Sequence, residues 1–158
     1  MLIYLDIDGV MVPANSWRKL EILADSFPDF SKLATKSLNR IIATANATIV
    51  LTTSHKHHYT LEEWKEIFKV RGIPVVEMHR LPENTSQSNR KDELLSWFDS
   101  YELTGNFIII DDDKSLNALP DFYKNRLIQT SASVGLTEHL ADEALELIAR
   151  LKSDMNPE

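Results

Sequence analysis

The stretch Leu2-Ile3-Tyr4-Leu5-Asp6-Ile7-Asp8-Gly9-Val10 decides how the chain is read. Its apolar run leads straight into a carboxylate, as in a strand buried on both faces of a parallel sheet, where neither face needs polar side chains. Asp6 and Asp8 stand two apart, so extended geometry sends both to one side of the strand axis. Gly9 permits an immediate sharp turn. Two acids this close repel each other unless a cation lies between them or one keeps a proton. An Asx-turn at a strand exit would use the same residues for purely local bonding.

The pattern recurs, and that favours a site over a turn. Ile49-Val50-Leu51 runs into Thr52-Thr53-Ser54, and Phe107-Ile108-Ile109-Ile110 runs into Asp111-Asp112-Asp113. Buried strands that end in carboxylates and hydroxyls converge where open α/β sheets bind ligands, outside the carboxyl ends near the topological switch point. Such a set suits a cation and an oxyanion.

In this order (DxDGV, an apolar run into Thr, a basic residue opening a helix, an apolar run into paired Asp) the chain resembles the haloacid dehalogenase-like superfamily of phosphohydrolases. More narrowly, it is similar to the small domains of that type in Swiss Army knife RNA repair proteins. The matching stretches are 5–10, 49–56, 90–97, 108–112 and 135–137.

The resemblance implies a mechanism. Asp6 would be the nucleophile, forming an aspartyl-phosphate, and Asp8 the general acid and then the base. Asp6, the backbone carbonyl of Asp8, and Asp112 would hold the metal, with Asp111 on a metal-bound water. Hard oxygen ligands with few carboxylates suit Mg²⁺. Thr52 and Thr53 would bind the phosphoryl oxygens, together with a cation: Arg90 matches the narrower group, Lys91 the superfamily's usual Lys. The group carries Trp-Arg where this chain has His55-Lys56, so Lys56 offers a point charge rather than a bidentate fork. Segment 13–32 occupies the place of a flap over the substrate, where Trp17 and Arg18 are candidates to stack on it and clamp it.

The remaining elements follow from periodicity. Helical spacing spans 31–46, and Thr60 to Glu63 forms a capping box for a helix that Gly72 ends. Ile73-Pro74-Val75-Val76 reads as a third strand at an edge, and 78–89 as a polar loop. A helix opens at Arg90-Lys91, strands cover 106–110 and 126–130, and Gly135-Leu136-Thr137 caps a last helix before a tail from Ser153. Pattern and resemblance together predict a Rossmann-like three-layer α/β sandwich over 1–152. Its sheet is five-stranded and mostly parallel, in order 3-2-1-4-5, with no large cap domain.

Composition sets limits. At 158 residues, 43% hydrophobic and 26% charged, the chain reads as one globular domain. No apolar run approaches the roughly 20 residues of a membrane span, and the first strand starts at once, leaving no room for a signal segment. The absence of cysteine excludes disulfides and thiolate metal sites and fits a cytoplasmic location. His55-Lys56-His57-His58 lacks the spacing of a zinc site. A net charge of −7 argues against an extended duplex footprint but leaves a nucleotide or a nucleic-acid end open as substrate. A sugar phosphate, a nucleotide or an RNA 3′-phosphate end would use the same core, with selectivity in 13–32, 55–59 and 78–89. Two other classes compete. A receiver domain places its acidic pair first and its accepting Asp later, the reverse of the order here. A silent binding module would have no need of the second acid, Asp8.

Overall fold

The computed structural model describes residues 1–14, 19–100 and 106–155. In chain order the elements are β1 (Leu2–Leu5), α1 (Lys32–Ala45), β2 (Thr48–Leu51), α2 (Leu61–Val70), β3 (Met78–Arg80), α3 (Arg90–Ser100) and β4 (Phe107–Asp111). A short 3-10 turn (Lys114–Ala118), α4 (Asp121–Lys124), β5 (Leu127–Gln129) and α5 (Glu138–Met155) complete it. The sheet order is β3-β2-β1-β4-β5, and every strand pair is parallel. The chain therefore adopts the α/β sandwich expected from its sequence, without a large cap domain.

Alternation along the strands sorts the core into two layers. Ile3, Leu5, Ile49, Leu51, Ile108 and Ile110 face one side, where α1, α2 and α5 supply Leu38, Trp64, Phe68 and Ile148. Tyr4, Val50 and Ile109 face the other, against Leu94 and Phe98 of α3 and Leu116 of the 3-10 turn. Both faces are covered, so the inner strands β1, β2 and β4 are apolar along their length and their polar residues collect at the ends.

Side chains cap the helix starts, at α2 as the sequence predicted. Ser31 accepts from the Ala34 N–H at the start of α1, and Thr60 with Glu63 forms the reciprocal box of α2. The Thr137 hydroxyl accepts from the Leu140 N–H, and α5 runs on to Met155, into the stretch expected as a tail.

One strand is displaced from its expected position. The apolar run 73–76 is not β3; the pairing with β2 begins at Met78, opposite Ile49. Pro74 has no N–H to give a ladder, and Val76 is 86% exposed, so this run is the connection from α2 back to the sheet. The strand itself, Met-His-Arg, lies at the edge and needs little apolar character.

The segment between β1 and α1 is fastened by Arg71. Its Nε donates to the Pro28 carbonyl, and Nη1 donates to Asp25 Oδ2 and the Ile67 carbonyl. Nη2 donates to Asp25 Oδ1 and the Phe27 carbonyl. All five guanidinium donors are thus satisfied, and the hydrogen bonds from Arg71 hold the Asp25 carboxyl below its ordinary range. Phe27 then packs edge-on against Trp64, Tyr59 and His55. The described part of the segment that the sequence suggested as a flap is thus tied at Asp25, Phe27 and Pro28 to Arg71, just past the end of α2.

Candidate active site

The site forms where β1, β2 and β4 end together. Asp6 is buried at the tip of β1, with its backbone N–H bonded to the Ile110 carbonyl and its Oδ1 accepting from the Ile7 N–H at 2.9 Å. The chain then turns tightly through Gly9 at φ +80°. A Cβ at this position would overlap the Asp112 carboxylate, which lies directly over the turn. The Thr130 hydroxyl donates to the Gly9 carbonyl at 2.7 Å, and the Leu136 N–H donates to the Val10 carbonyl at 2.9 Å. The end of β5 and the Gly135-Leu136 turn therefore hold the loop that carries the first acids.

Asp6, Asp111 and Asp112 each offer a carboxylate oxygen, all within 4.8 Å of one another. Asp111 is fully buried. Its Oδ1 accepts from the Asp113 N–H at 3.0 Å, while its Oδ2 has no hydrogen-bond donor among the described residues. Burial pushes the Asp6 carboxyl well above its ordinary range; the nearby Asp111 charge adds to this and Arg90 opposes it. Burial likewise raises Asp111, to about 6, against the pull of Arg90. Three crowded acids, one with an orphaned buried oxygen, fit a hard divalent cation with oxygen ligands such as Mg²⁺.

Asp8 stands apart from this group. Its side chain is 53% exposed, and Oδ2 lies 2.8 Å from His55 Nε2. The sequence reading gave Asp8 its place at the metal through the backbone carbonyl, which leaves the carboxylate free for this contact. His55 Nδ1 is in turn 3.3 Å from His58 Nδ1, and His57 Nε2 lies 3.0 Å from the Leu81 carbonyl. The imidazoles pair with one another, with Asp8 and with the backbone.

Of the two candidate cations, the structure brings Arg90 to the acids. Its Nη2 is 3.7 Å from Asp6 Oδ1 and its Nε 3.5 Å from Asp111 Oδ2. Nη1 donates to the Thr52 carbonyl. Burial works against the Arg90 charge, but Asp111, Asp6 and Glu93 outweigh it and raise its pKa. Lys91 faces Asp92 at 3.8 Å instead, and its backbone N–H donates to Ser115 Oγ. The two threonines differ as well. Among the described residues Thr52 Oγ1 is buried with no hydrogen-bond partner, whereas the Thr53 hydroxyl accepts from the His55 N–H at 3.3 Å.

Lys56 reaches inward to Glu93 Oε2 at 2.9 Å, while Glu93 Oε1 lies 3.8 Å from Arg90 Nη1. Glu93 thus links the two basic groups. Asp113 caps the 3-10 turn by accepting from the Ser115 N–H at 2.8 Å. Trp17 and Arg18, expected to touch the substrate, lie outside the described residues.

Sequence reasoning missed Glu93, Thr130 and the His55–Asp8 contact. Glu93 sits one helical turn from Arg90 and carried a readable signal, because the i, i+3 spacing joins their charges. Thr130 and His55 carried none, since their partners are 121 and 47 residues away in the chain.

Among the described residues, no helix is long and apolar enough to cross a membrane. Neither a curated protein nor a solved structure matches the chain. The family model for the HAD domain in Swiss Army Knife RNA repair proteins matches residues 2–141, a span that holds the three clustered acids, Arg90, Glu93 and the Thr130 clamp. By that match the chain belongs to the HAD domain family of Swiss Army Knife RNA repair proteins.

Proposed function

We propose that the protein is a Mg²⁺-dependent phosphomonoester hydrolase that works through an aspartyl-phosphate on Asp6. The observation that carries this reading is the division of labour among the acids: Asp6 lies within the Asp111–Asp112 group beside Arg90, while Asp8 lies outside it and meets His55. This division supports a reading in which one acid attacks and the other transfers a proton.

In the first step Asp6 attacks phosphorus. The bond to the ester oxygen breaks, and that oxygen takes a proton from Asp8. In the second step the Asp8 carboxylate takes a proton from water as the water attacks the same phosphorus, releasing inorganic phosphate and restoring Asp6. Arg90 opposes the charge that spreads over the phosphoryl oxygens, and the partnerless Thr52 hydroxyl donates to one of them. Mg²⁺ held by Asp6, Asp112 and the Asp8 carbonyl, with Asp111 behind it, would supply further positive charge there. Thr53, with its hydroxyl engaged in a turn, contributes through its backbone; Lys91 stays at the surface and Lys56 acts through Glu93.

The substrate is a small phosphomonoester or the phosphorylated end of a nucleotide or nucleic acid. The net charge of −7 and the cysteine-free sequence suit a cytoplasmic enzyme without a duplex footprint. Asp6→Asn is expected to abolish Mg²⁺-dependent hydrolysis of p-nitrophenyl phosphate. Activity near wild type in that variant would remove Asp6 from the nucleophile's role. A wild-type chain inert toward a panel of phosphomonoesters would leave a binding module.

A further inference from the structure

The turn after β2 carries three histidines, and two of them meet. The His58 N–H donates to the His55 carbonyl at 2.9 Å, and His55 Nδ1 lies 3.3 Å from His58 Nδ1. A turn rather than a helix brings these rings together, so the sequence spacing carries no zinc pattern. His57 takes no part; its Nε2 is 3.0 Å from the Leu81 carbonyl.

Asp8 fixes which nitrogen of His55 is bare. A carboxylate only accepts, so the proton in the 2.8 Å contact with Asp8 Oδ2 belongs to His55 Nε2. In the neutral ring Nδ1 then keeps its lone pair, next to the second imidazole. A hydrogen bond between the rings requires His58 to carry its proton on Nδ1; a cation between them suits the other tautomer. The separation fits a cation. With Zn–N distances of about 2.0–2.1 Å, a tetrahedral ion sets two ligand nitrogens roughly 3.3–3.4 Å apart. A histidine that binds metal through one nitrogen and donates its other N–H to a carboxylate is also the usual outer arrangement of such sites.

We infer that His55 and His58 form a second divalent-cation site, with Asp8 as the carboxylate behind His55, for a transition-metal ion such as Zn²⁺. Ligand chemistry separates it from the acid cluster, because imidazole nitrogens favour Zn²⁺, Cu²⁺ and Ni²⁺ whereas carboxylates and carbonyls favour Mg²⁺. His58 also lines a cleft of about 520 Å³ between the loop after β2 and the loop that leads into α3. Two imidazoles fill half of a tetrahedral set and leave the other positions to water or to an oxygen of a molecule in the cleft. The ion is therefore exchangeable rather than structural, and it pins the ring that meets Asp8.

The test is calorimetric titration of the full chain with Zn²⁺ at pH 7.5, with Mg²⁺ in large excess to occupy the acids. One Zn²⁺ is expected to bind per chain. His57→Ala should leave the affinity unchanged, as should His139→Ala, which removes the exposed His139–Glu143 pair of α5. His55→Ala, His58→Ala and Asp8→Ala should each weaken binding by about tenfold or more. Binding is the readout, so the outcome does not depend on turnover. Co²⁺ added to the unaltered chain gives a second measurement, expected to show the visible absorption of a four-coordinate ion with nitrogen ligands. A wild-type chain that binds no Zn²⁺, an affinity unchanged in any of those three variants, or the spectrum of a six-coordinate, oxygen-bound Co²⁺ would overturn the site.

Discussion

His55 Nε2 lies 2.8 Å from Asp8 Oδ2, and the imidazole is held edge-on between Phe27 and His58. Phe27 is in turn fixed through Arg71, so the position of the outer acid is set by packing that reaches the end of α2. His55→Ala is expected to lower kcat for phosphomonoesters by about tenfold, part of a general acid's usual contribution, with KM little changed. His55→Gln keeps a hydrogen-bonding group and should recover part of the loss. Steady-state kinetics check both variants, and an unchanged kcat in His55→Ala would show that Asp8 needs no partner.

Arg90 and Lys91 are neighbours in sequence with opposite fates. Arg90→Ala should lower kcat/KM by about a hundredfold or more, as expected for the loss of a charge aimed at the transition state. Lys91→Ala should leave it within about twofold, because a half-exposed pair with Asp92, 3.8 Å apart and away from the acids, contributes little. The reverse result, measured on p-nitrophenyl phosphate, would mean that Lys91 swings inward when substrate binds.

Glu93 keeps Lys56 neutralised in a nearly closed environment. Glu93→Gln removes one partner of a buried pair and leaves the other charge uncompensated, which costs about 3 kcal/mol. Urea denaturation should show that loss. A midpoint equal to wild type would mean that Lys56 reaches solvent in the variant.

The raised carboxyls make stability depend on pH in a defined direction. Asp111 titrates near about 4 in an unfolded chain and at about 6 when folded. Between these values the folded state binds more protons, so stability without metal falls as pH rises through this window and then levels off. The elevated Asp6 acts in the same direction. Mg²⁺ competes with those protons. It should therefore raise Tm clearly at pH 7.5 and hardly at all at pH 5. Thermal denaturation at the two pH values decides, and an equal Mg²⁺ shift at both would detach the cation from these acids.

The sequence made the strand ends legible because three apolar runs stop at polar residues, and burial on both faces leaves such runs few other readings. Asp6, Asp111 and Asp112 could thus be expected to meet before any coordinates placed them. Periodicity failed where chemistry outweighed hydropathy. Ile73-Pro74-Val75-Val76 looks more like a strand than Met78-His79-Arg80, yet the proline cannot enter a ladder and an edge strand tolerates polar side chains. Nor could pattern choose between Arg90 and Lys91. That choice turns on which side of the first turn of α3 faces the sheet, a matter of register that adjacent cations do not record.

The central strand of the sheet is also the first to be synthesised. β1 leaves the ribosome before its partner β4, residues 107–111, and the Thr130 and Leu136 clamps come later still. Until then the nascent chain carries Asp6 without Asp111 or Asp112 and leaves one edge of β1 bare, a liability for association with other chains. A half-made copy therefore lacks the assembled acids, and the same late strand that covers the open edge of β1 completes the set.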